Sequence, residues 1–378
     1  MQNNKKFKLF IFHPYPKFGG ADRSIIRLIN SLNFNDITVI SLTKCSYSKY
    51  LNKKIQFKRL DCKRVFFSII KLRKFIISEI DNDNTKKNLI ISNQNFANIA
   101  TIISLKFVKN IKKILIERNH LDELRYYRNI TDFLKKNIIL FCVTLFYKKS
   151  DAVIGISKKL SSDLSKLINK KVHTIYNPAI DRSLFKGKKI KIPKKFLKKN
   201  KDVFILLNVG FFELQKDQLT ILKALKIVKQ KHSNFHLILI GNGSMQGILE
   251  KYIRTNGLNK DVTIFKNITD AKPFYKIADL FILSSIYEGF GNVVAEALFY
   301  NCPVITSNCN AGPMEIIENG KFGDFFPKSN FEILSKKIIN FIENPEKLNN
   351  KVKKSTNSLK KFTLQKSEAN YKKLFKKI

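Results

Sequence analysis

Cysteine is scarce in this chain of 378 residues. The five, Cys45, Cys62, Cys142, Cys302 and Cys309, are scattered and form no Cys-x-x-Cys pair. That excludes a disulfide framework or a zinc ribbon and fits a reducing, cytosolic setting. Long apolar runs are missing too. Crossing a bilayer takes roughly 18–20 apolar residues. The best stretch, Ile138 to Phe146, is far shorter and reads as part of a buried helix. Near the start, Leu9 to Phe12 is too short for the apolar core of a signal peptide. Acidic residues are few: 29 Asp+Glu stand against 71 Lys+Arg, a formal net charge of +42. No zinc-finger spacing and no aromatic RNA-binding signature accompanies that charge, so specific nucleic-acid recognition is not expected. No repeat with a period of about 20–50 residues is visible, which excludes solenoids and propellers.

What is present is a globular composition. Hydrophobic residues make up 44% and aromatics 12%, enough apolar material for packed cores despite the charge. At about 150 residues per domain, the length suggests two domains. The charge is spread evenly: 35 basic against 12 acidic residues in 1–180, and 36 against 17 in the remainder. Such a surface attracts polyanions, whether an anionic membrane, nucleic acid or phosphorylated substrates.

Short apolar runs alternate with helix-length stretches. The runs are Leu9–Phe12, Ile37–Leu42, Leu89–Ser92, Ile114–Ile116 and Ala152–Ile156. A second series is Val203–Val209, Phe235–Ile240, Val262–Phe265, Leu280–Leu283 and Pro303–Thr306. Continuous apolar runs suit strands buried on both faces of a parallel sheet. Helical patterns such as Ala21–Leu32, Gln218–Lys231 and Val293–Tyr300 lie between them, which predicts doubly wound α/β sheets. The expected division is an N-terminal Rossmann-like domain over 1–182, a lysine-dense linker over 183–202 and a second Rossmann-like domain over 203–350. The helical spacing of Leu359, Phe362, Leu364, Tyr371 and Leu374 makes 351–378 a C-terminal segment that packs back towards the first domain. Ligands of such sheets sit beyond the carboxyl ends of the strands.

The densest chemical signal runs from Ser284 to Leu298 and contains Glu288-Gly289-Phe290-Gly291-Asn292-Val293 and Glu296. It follows a strand and opens a helix. Gly289 and Gly291 permit close backbone approach to a ligand. With Asn292 as the expected N-cap, the free N–H groups of Val293 to Ala295 and the positive end of the helix dipole make an anion site suited to a diphosphate. Glu288 lies on the loop. Glu296 follows Asn292 by four positions, on the same helix face, where it can accept hydrogen bonds from sugar hydroxyls.

Glu288 and Glu296 match the paired-glutamate motif of the retaining glycosyltransferases of family 4. The resemblance extends along most of the chain. Phe18-Gly19-Gly20-Ala21-Asp22 resembles that family's N-terminal glycine loop, Ala152 to Ser157 its strand ending in serine, and Ile175-Tyr176-Asn177-Pro178 the segment before its linker. Asn208-Val209-Gly210, Gln215-Lys216-Asp217, Ile240-Gly241-Asn242-Gly243 and Asn310 to Ile317 resemble successive turns of its donor-binding domain.

The resemblance implies a GT-B fold, α/β, with two Rossmann-like domains facing each other across a cleft and a C-terminal helix crossing back. It implies transfer of a hexose or N-acetylhexosamine, from UDP by the Gly312-Pro313-Met314-Glu315 variant, to a glycan or lipid-linked acceptor in surface polysaccharide synthesis. It also implies roles. Lys216 meets the donor diphosphate, Glu296 the ribose, and Glu288 the donor sugar beside the backbone of Gly289 to Val293. Gly19 and Gly20 form an acceptor or phosphate loop. His120, just past a strand, is the active-site histidine of the acceptor domain. The chain departs from the family at Phe211, where an Arg is usual, which loses a planar charged fork for the diphosphate.

No metal or cofactor is expected. Asp81-Asn82-Asp83 resembles a metal-binding Asp-x-Asp, but it lies in a polar turn and lacks the later glycine and glutamate of a calcium loop. Basic stretches with apolar neighbours, Arg64–Lys74 and Arg125–Lys136, suit anionic headgroups, which would place a cytoplasmic protein on the inner face of the membrane. Two rival readings stand beside this one. Gly241-x-Gly243 begins a dinucleotide fingerprint whose third glycine, Gly247, comes one position late. The charge also suits a non-catalytic nucleic-acid binder, whose affinity would be steeply salt-dependent.

Overall fold

The computed structural model describes residues 7–15, 19–32, 34–44, 48–80, 85–180, 192–193, 196 and 203–378. Cys45, Phe18, the Asp81-Asn82-Asp83 turn and nearly all of the expected linker lie outside the described residues. The chain divides into two units.

The first unit comprises Met1–Pro178 and Leu364–Ile378. Its strands are β1 (Phe7–Phe12), β2 (Asp36–Ser41), β3 (Gln56–Arg59), β4 (Lys87–Asn93), β5 (Lys112–Glu117), β6 (Ala152–Gly155) and β7 (Val172–Thr174). They form one sheet in the order β3-β2-β1-β4-β5-β6-β7, and every pair is parallel. Leu9, Phe10, Ile11 and Phe12 are all buried, so β1 is covered on both faces, as its unbroken apolar run requires. One face carries Phe10, Phe12, Ile40 and Ile90 against Leu72, Ile76, Ala97 and Ala100 of the helices Ile69–Glu79 and Asn95–Ser104. The C-terminal helix Leu364–Lys377 packs on the helix Gly20–Leu32. Phe375 closes a ring cluster there with Phe7 and Phe34, at centroid distances of 6.4 and 6.2 Å.

One helix differs from expectation. Ile138 to Phe146 is the second half of a helix, Ile130–Phe146, that is covered on one side only. Ile139 and Val143 face the core, whereas Ile138, Phe141 and Leu145 are exposed.

The second unit is Ala179–Thr363. It contains β8 (Phe204–Val209), β9 (Phe235–Ile240), β10 (Val262–Phe265), β11 (Leu280–Leu283), β12 (Val304–Ser307) and β13 (Asp324–Phe326). Their order is β10-β9-β8-β11-β12-β13, again all parallel. Counted along the unit this is 3-2-1-4-5-6, the doubly wound order of dinucleotide-binding sheets. The order reverses between β8 and β11, the switch point beside which sheets of this kind bind their ligands. Leu206, Leu237, Leu239, Leu280 and Ile282 pack against Ile221, Leu225, Leu334 and Ile338 of the helices Gln218–Val228 and Phe331–Glu343. Phe196, within the expected linker, packs on His236 of this unit at 5.0 Å. The chain therefore divides at 178/179 rather than after 182. Residues 351–363 belong to the second unit, and only the final helix belongs to the first.

Candidate active site

The switch point of the second unit gathers most of the residues marked in the sequence. Asn208, at the end of β8, donates from its buried side-chain amide to the carbonyl of Ile282 on β11 (2.8 Å), which pins the two strands together. The chain after β8 turns at Gly210 and passes through a short 3-10 helix, Leu214–Lys216. The chain after β11 runs through Ser284 to Gly291. Three bonds of 2.8 Å stitch the two loops: Ile286 N–H to the Gln215 carbonyl, the Gln215 amide to the Tyr287 carbonyl, and the Ser284 hydroxyl to the Lys216 carbonyl. This brings Lys216 Nζ onto Glu288 Oε1 as an ion pair. The Ser285 hydroxyl donates to the same oxygen at 2.8 Å. Glu288 is buried.

Tight backbone packing shapes the floor. A Cβ at Gly241 would lie 2.0 Å from the Gly210 carbonyl oxygen. Gly312 has φ +68°, and a Cβ there would lie 2.2 Å from the Phe290 carbonyl oxygen. Both positions exclude any side chain. Gly289 is buried, and the Phe290 ring is turned into the core against Phe362 at 5.1 Å, so Phe290 offers a ligand only its backbone. Beneath the loop, the Ser307 hydroxyl and the Cys309 thiol both donate to the Ser285 carbonyl, at 2.5 and 3.0 Å. Burial, with the Glu288 charge adding to it, pushes the Cys309 thiol up to about 12, so it stays protonated.

The helix that follows is Asn292–Phe299. Its N-cap is Gly291 in the left-handed conformation (φ 82°, ψ 56°), which corrects the expectation of Asn292. Only glycine adopts that geometry at little cost. Gly291 brings no side chain to cap this end, and Asn292 and Val293 are half-buried in its first turn. Glu296, one turn on, accepts from the Tyr275 hydroxyl at 3.2 Å. Phe211, in place of an arginine, is exposed on the loop after β8.

Gly19, Gly20 and His120 belong to the first unit. Gly20 opens the helix Gly20–Leu32. The Gly19 N–H already has an anionic partner, Asp22 Oδ2, at 2.7 Å. Asp22 Oδ1 in turn lies 2.5 Å from His13 Nε2, both side chains buried. This His13–Asp22 pair, at the end of β1, was not foreseen. The available signal was a histidine ending the first strand, nine positions before an acid in the next helix's first turn. His120 is buried with both ring nitrogens engaged. Its Nδ1 accepts from the Asp122 N–H at 3.2 Å, so Nε2 carries the proton and donates to Asp163 Oδ2 at 3.0 Å. Arg118, also unforeseen, binds Asn93 and Asn177 at 3.0 Å each. Among the described residues no group of three or more His, Cys, Asp or Glu side chains has the arrangement to hold a metal ion.

A lysine meeting a buried glutamate beside the start of a helix agrees with what sequence comparison finds. Residues 189–358 match the family model "Glycosyl transferases group 1". The matched segment, less than half of the chain, resembles that family and coincides with most of the second unit. An uncharacterized glycosyltransferase of Methanocaldococcus jannaschii, MJ1059, is 29% identical over 241 residues, which is 61% of this chain and 58% of that protein. The chain thus spans less than two thirds of the length of that relative. The Campylobacter jejuni enzyme named N-acetylgalactosamine-N,N'-diacetylbacillosaminyl-diphospho-undecaprenol 4-alpha-N-acetylgalactosaminyltransferase is 26% identical over 327 residues, 84% of this chain and 85% of the enzyme. Among solved structures, Anabaena HepE in complex with UDP and glucose superposes with a TM-score of 0.77 at 18% identity, covering 98% of this chain and 100% of HepE. The fold is GT-B: two parallel-sheet, Rossmann-like α/β units.

Proposed function

We propose that this protein is a retaining, metal-independent glycosyltransferase of the family 4 type. It moves a hexose or N-acetylhexosamine from a UDP-sugar to a glycan or lipid-linked acceptor in surface polysaccharide synthesis. The observation that carries the reading is the meeting of Lys216 and Glu288 at the switch point, beside the N-terminus of Asn292–Phe299. Support for the donor comes from HepE, which holds UDP and glucose. Support for the acceptor comes from the name of the Campylobacter enzyme, which contains a diphospho-undecaprenol.

On this reading Lys216 and the helix N-terminus take the diphosphate, and the backbone of Gly289 to Val293 lines its path. Glu288 holds the sugar and Glu296 the ribose. The bond from the anomeric carbon to the phosphate oxygen breaks. The acceptor hydroxyl oxygen attacks the same face, and its proton passes to the departing phosphate oxygen. Stabilising that leaving group with fixed positive charge is the main catalytic contribution. With Phe211 in place of arginine, Lys216 carries more of it.

Thermal unfolding with UDP, GDP, ADP, CMP and NAD, each with EDTA, tests the donor. A ligand at a hundred times its Kd adds about 2.7 kcal/mol to stability. UDP should raise the midpoint with EDTA present. A rise with GDP or ADP alone would replace the base, a rise with NAD alone would favour the oxidoreductase, and no rise at all would overturn the donor site. The anomeric configuration of the product, read by NMR, tests retention.

A further inference from the structure

The first unit carries a surface that the donor chemistry leaves unused. Fifteen of the twenty-one exposed large hydrophobic side chains among the described residues lie between Phe66 and Leu145. They sit on or beside three helices, Ile69–Glu79, Asn95–Ser104 and Ile130–Phe146, which pack side by side with Asn95–Ser104 in the middle. On Ile130–Phe146 the exposed Ile130, Leu134, Ile138, Phe141 and Leu145 recur at steps of three and four, a continuous stripe. At 1.5 Å per residue the stripe is about 22 Å long. Phe66, Phe67 and Ile70 mark one end of the face, and Phe96 and Phe107 its middle. Phe107 and Phe66 are each 75% exposed. Soluble proteins rarely leave so large an apolar area facing water without a partner for it.

The charge on the same face says which partner. Residues 63–79 hold five basic side chains against Glu79, and residues 125–149 hold six against Asp132. Asp132 is itself paired to Lys136 at 3.1 Å. Lysines stand beside the aromatic rings: Lys135 Nζ is 5.7 Å from the Phe96 centroid, Lys106 4.7 Å from Phe107, and Lys149 5.6 Å from Phe146. Long basic side chains flanking a band of Phe, Ile and Leu reach headgroups while the band enters the acyl boundary. A second copy of the chain would set this positive face against another, which like-charge repulsion disfavours.

We propose that the outer face of these three helices docks in the interfacial layer of an anionic bilayer, with Ile130–Phe146 lying along the membrane plane. The proposal stands apart from the donor reading, because it concerns a different face and is read by vesicle binding rather than by nucleotide or transfer.

The test uses the full chain and phosphatidylcholine vesicles with and without phosphatidylglycerol, in flotation assays over a range of salt. Wild type should float with the anionic vesicles and be released as salt screens the lysines. The double variant Ile138→Gln/Phe141→Gln should bind at least about tenfold more weakly, because two apolar side chains no longer enter the lipid. Ile248→Gln, an exposed residue of the second unit, should bind like wild type. A second readout does not rely on that variant folding. The chain has no tryptophan, so Phe141→Trp supplies a lone emitter. Its emission should shift to shorter wavelength and be quenched by brominated anionic lipid, while that of Ile248→Trp should not. Equal binding to neutral and anionic vesicles would overturn the proposal. So would undiminished binding of the double variant, or an unmoved Phe141→Trp emission. A wild-type dimer dispersed by the double variant, without vesicle binding, would assign the face to a second copy instead.

Discussion

Lys216 and Glu288 are 72 residues apart in the chain and form an ion pair, each on a loop at the carboxyl edge of one of the two strands that flank the switch point. Glu288 is buried and also takes the Ser285 hydroxyl. The pair therefore holds two site residues in place before any donor arrives, and it separates stability from catalysis. Lys216→Met leaves the glutamate buried without its cation. Breaking a buried pair costs about 3–5 kcal/mol. The Lys216 side chain is 20% exposed, so solvent softens this to about 1–3 kcal/mol. Glu288→Gln added to Lys216→Met should restore most of that loss, a coupling that a double-mutant cycle in urea resolves. Transfer should not recover. Each single variant should lose about 10²–10³ in kcat if Lys216 meets the leaving diphosphate and Glu288 the sugar. Full activity in both singles would remove these residues from the mechanism.

The glycines predict a contrast within one unit. Gly312→Ala places a Cβ 2.2 Å from the Phe290 carbonyl oxygen and 2.4 Å from its Cα, at a φ of +68°. Neither backbone segment can yield without moving Gly289 to Asn292. We expect a loss of about 2–5 kcal/mol from strain and overpacking together, with weaker nucleotide binding. Gly247, in the helix Gln246–Thr255, has nothing within 4 Å of the same added atom. Gly247→Ala should be neutral or stabilise by about 0.5 kcal/mol through helix propensity. Chemical denaturation of the two variants checks both signs.

The strands visible in the sequence were those buried on both faces, together with the apolar edge strand Val262–Phe265. The three that were missed, Gln56–Arg59, Val172–Thr174 and Asp324–Phe326, all lie at sheet edges. Gln56–Arg59 is exposed at every position and Val172–Thr174 is buried at none, so no apolar run marked either. Ile130–Phe146 misled for the opposite reason. A run of apolar residues reads as buried whether the second side meets protein or something else. Within the site, the Ser284 to Glu296 segment was legible because glycines, glutamates and a helix start fall within a few positions. The cap was misplaced by one residue because asparagine is a common N-cap, whereas Gly291 is dictated by its left-handed backbone. The contacts of Lys216 with Glu288, and of His120 with Asp163, span 72 and 43 residues. Pairings of that range depend on strand order, which a local pattern does not contain.

His120 leads to a prediction about its neighbour. Asp163 receives the Nε2 proton and is also bound by Lys159 at 2.9 Å. Burial pulls the Asp163 carboxyl up, but the bonds from Lys159 and His120 outweigh it and hold it below the usual aspartate value. An ionised Asp163 fixes the ring's tautomer and angle. If His120 is an active-site histidine, as the family resemblance implies, Asp163 is its positioning residue. Asp163→Ala should lower kcat about 10–100-fold through misplacement of the ring, with KM for the donor unchanged. Asp163→Asn, which keeps an acceptor oxygen, should recover much of the loss. Unchanged kcat in both variants would leave His120 a structural residue.

Glu117 makes stability depend on pH in a definite direction. It ends β5, is buried, and accepts from the Tyr147 hydroxyl at 2.7 Å, which itself accepts from the Asn98 amide at 2.9 Å. Burial raises its carboxyl from 4.5 to about 7, against the Tyr147 bond and backbone N–H groups that pull it down. Between these values the folded chain keeps a proton that the unfolded chain has released. The native state then binds more protons, so this residue's contribution to stability falls as pH rises from about 4.5 to about 7 and is level above that. At 1.36 kcal/mol per pH unit the decline is about 3 kcal/mol. Carboxylates held low elsewhere, such as Asp163 and Glu318, change in the opposite sense, so the total curve mixes both. Glu117→Gln isolates the effect, because glutamine is neutral throughout and still accepts from Tyr147. The stability difference between Glu117→Gln and wild type, from urea unfolding at each pH, should grow in favour of the variant from about pH 4.5 to about pH 7 and then stay constant. A difference that does not change with pH would mean that Glu117 ionises at its ordinary value and that the Tyr147 bond is made to a carboxylate.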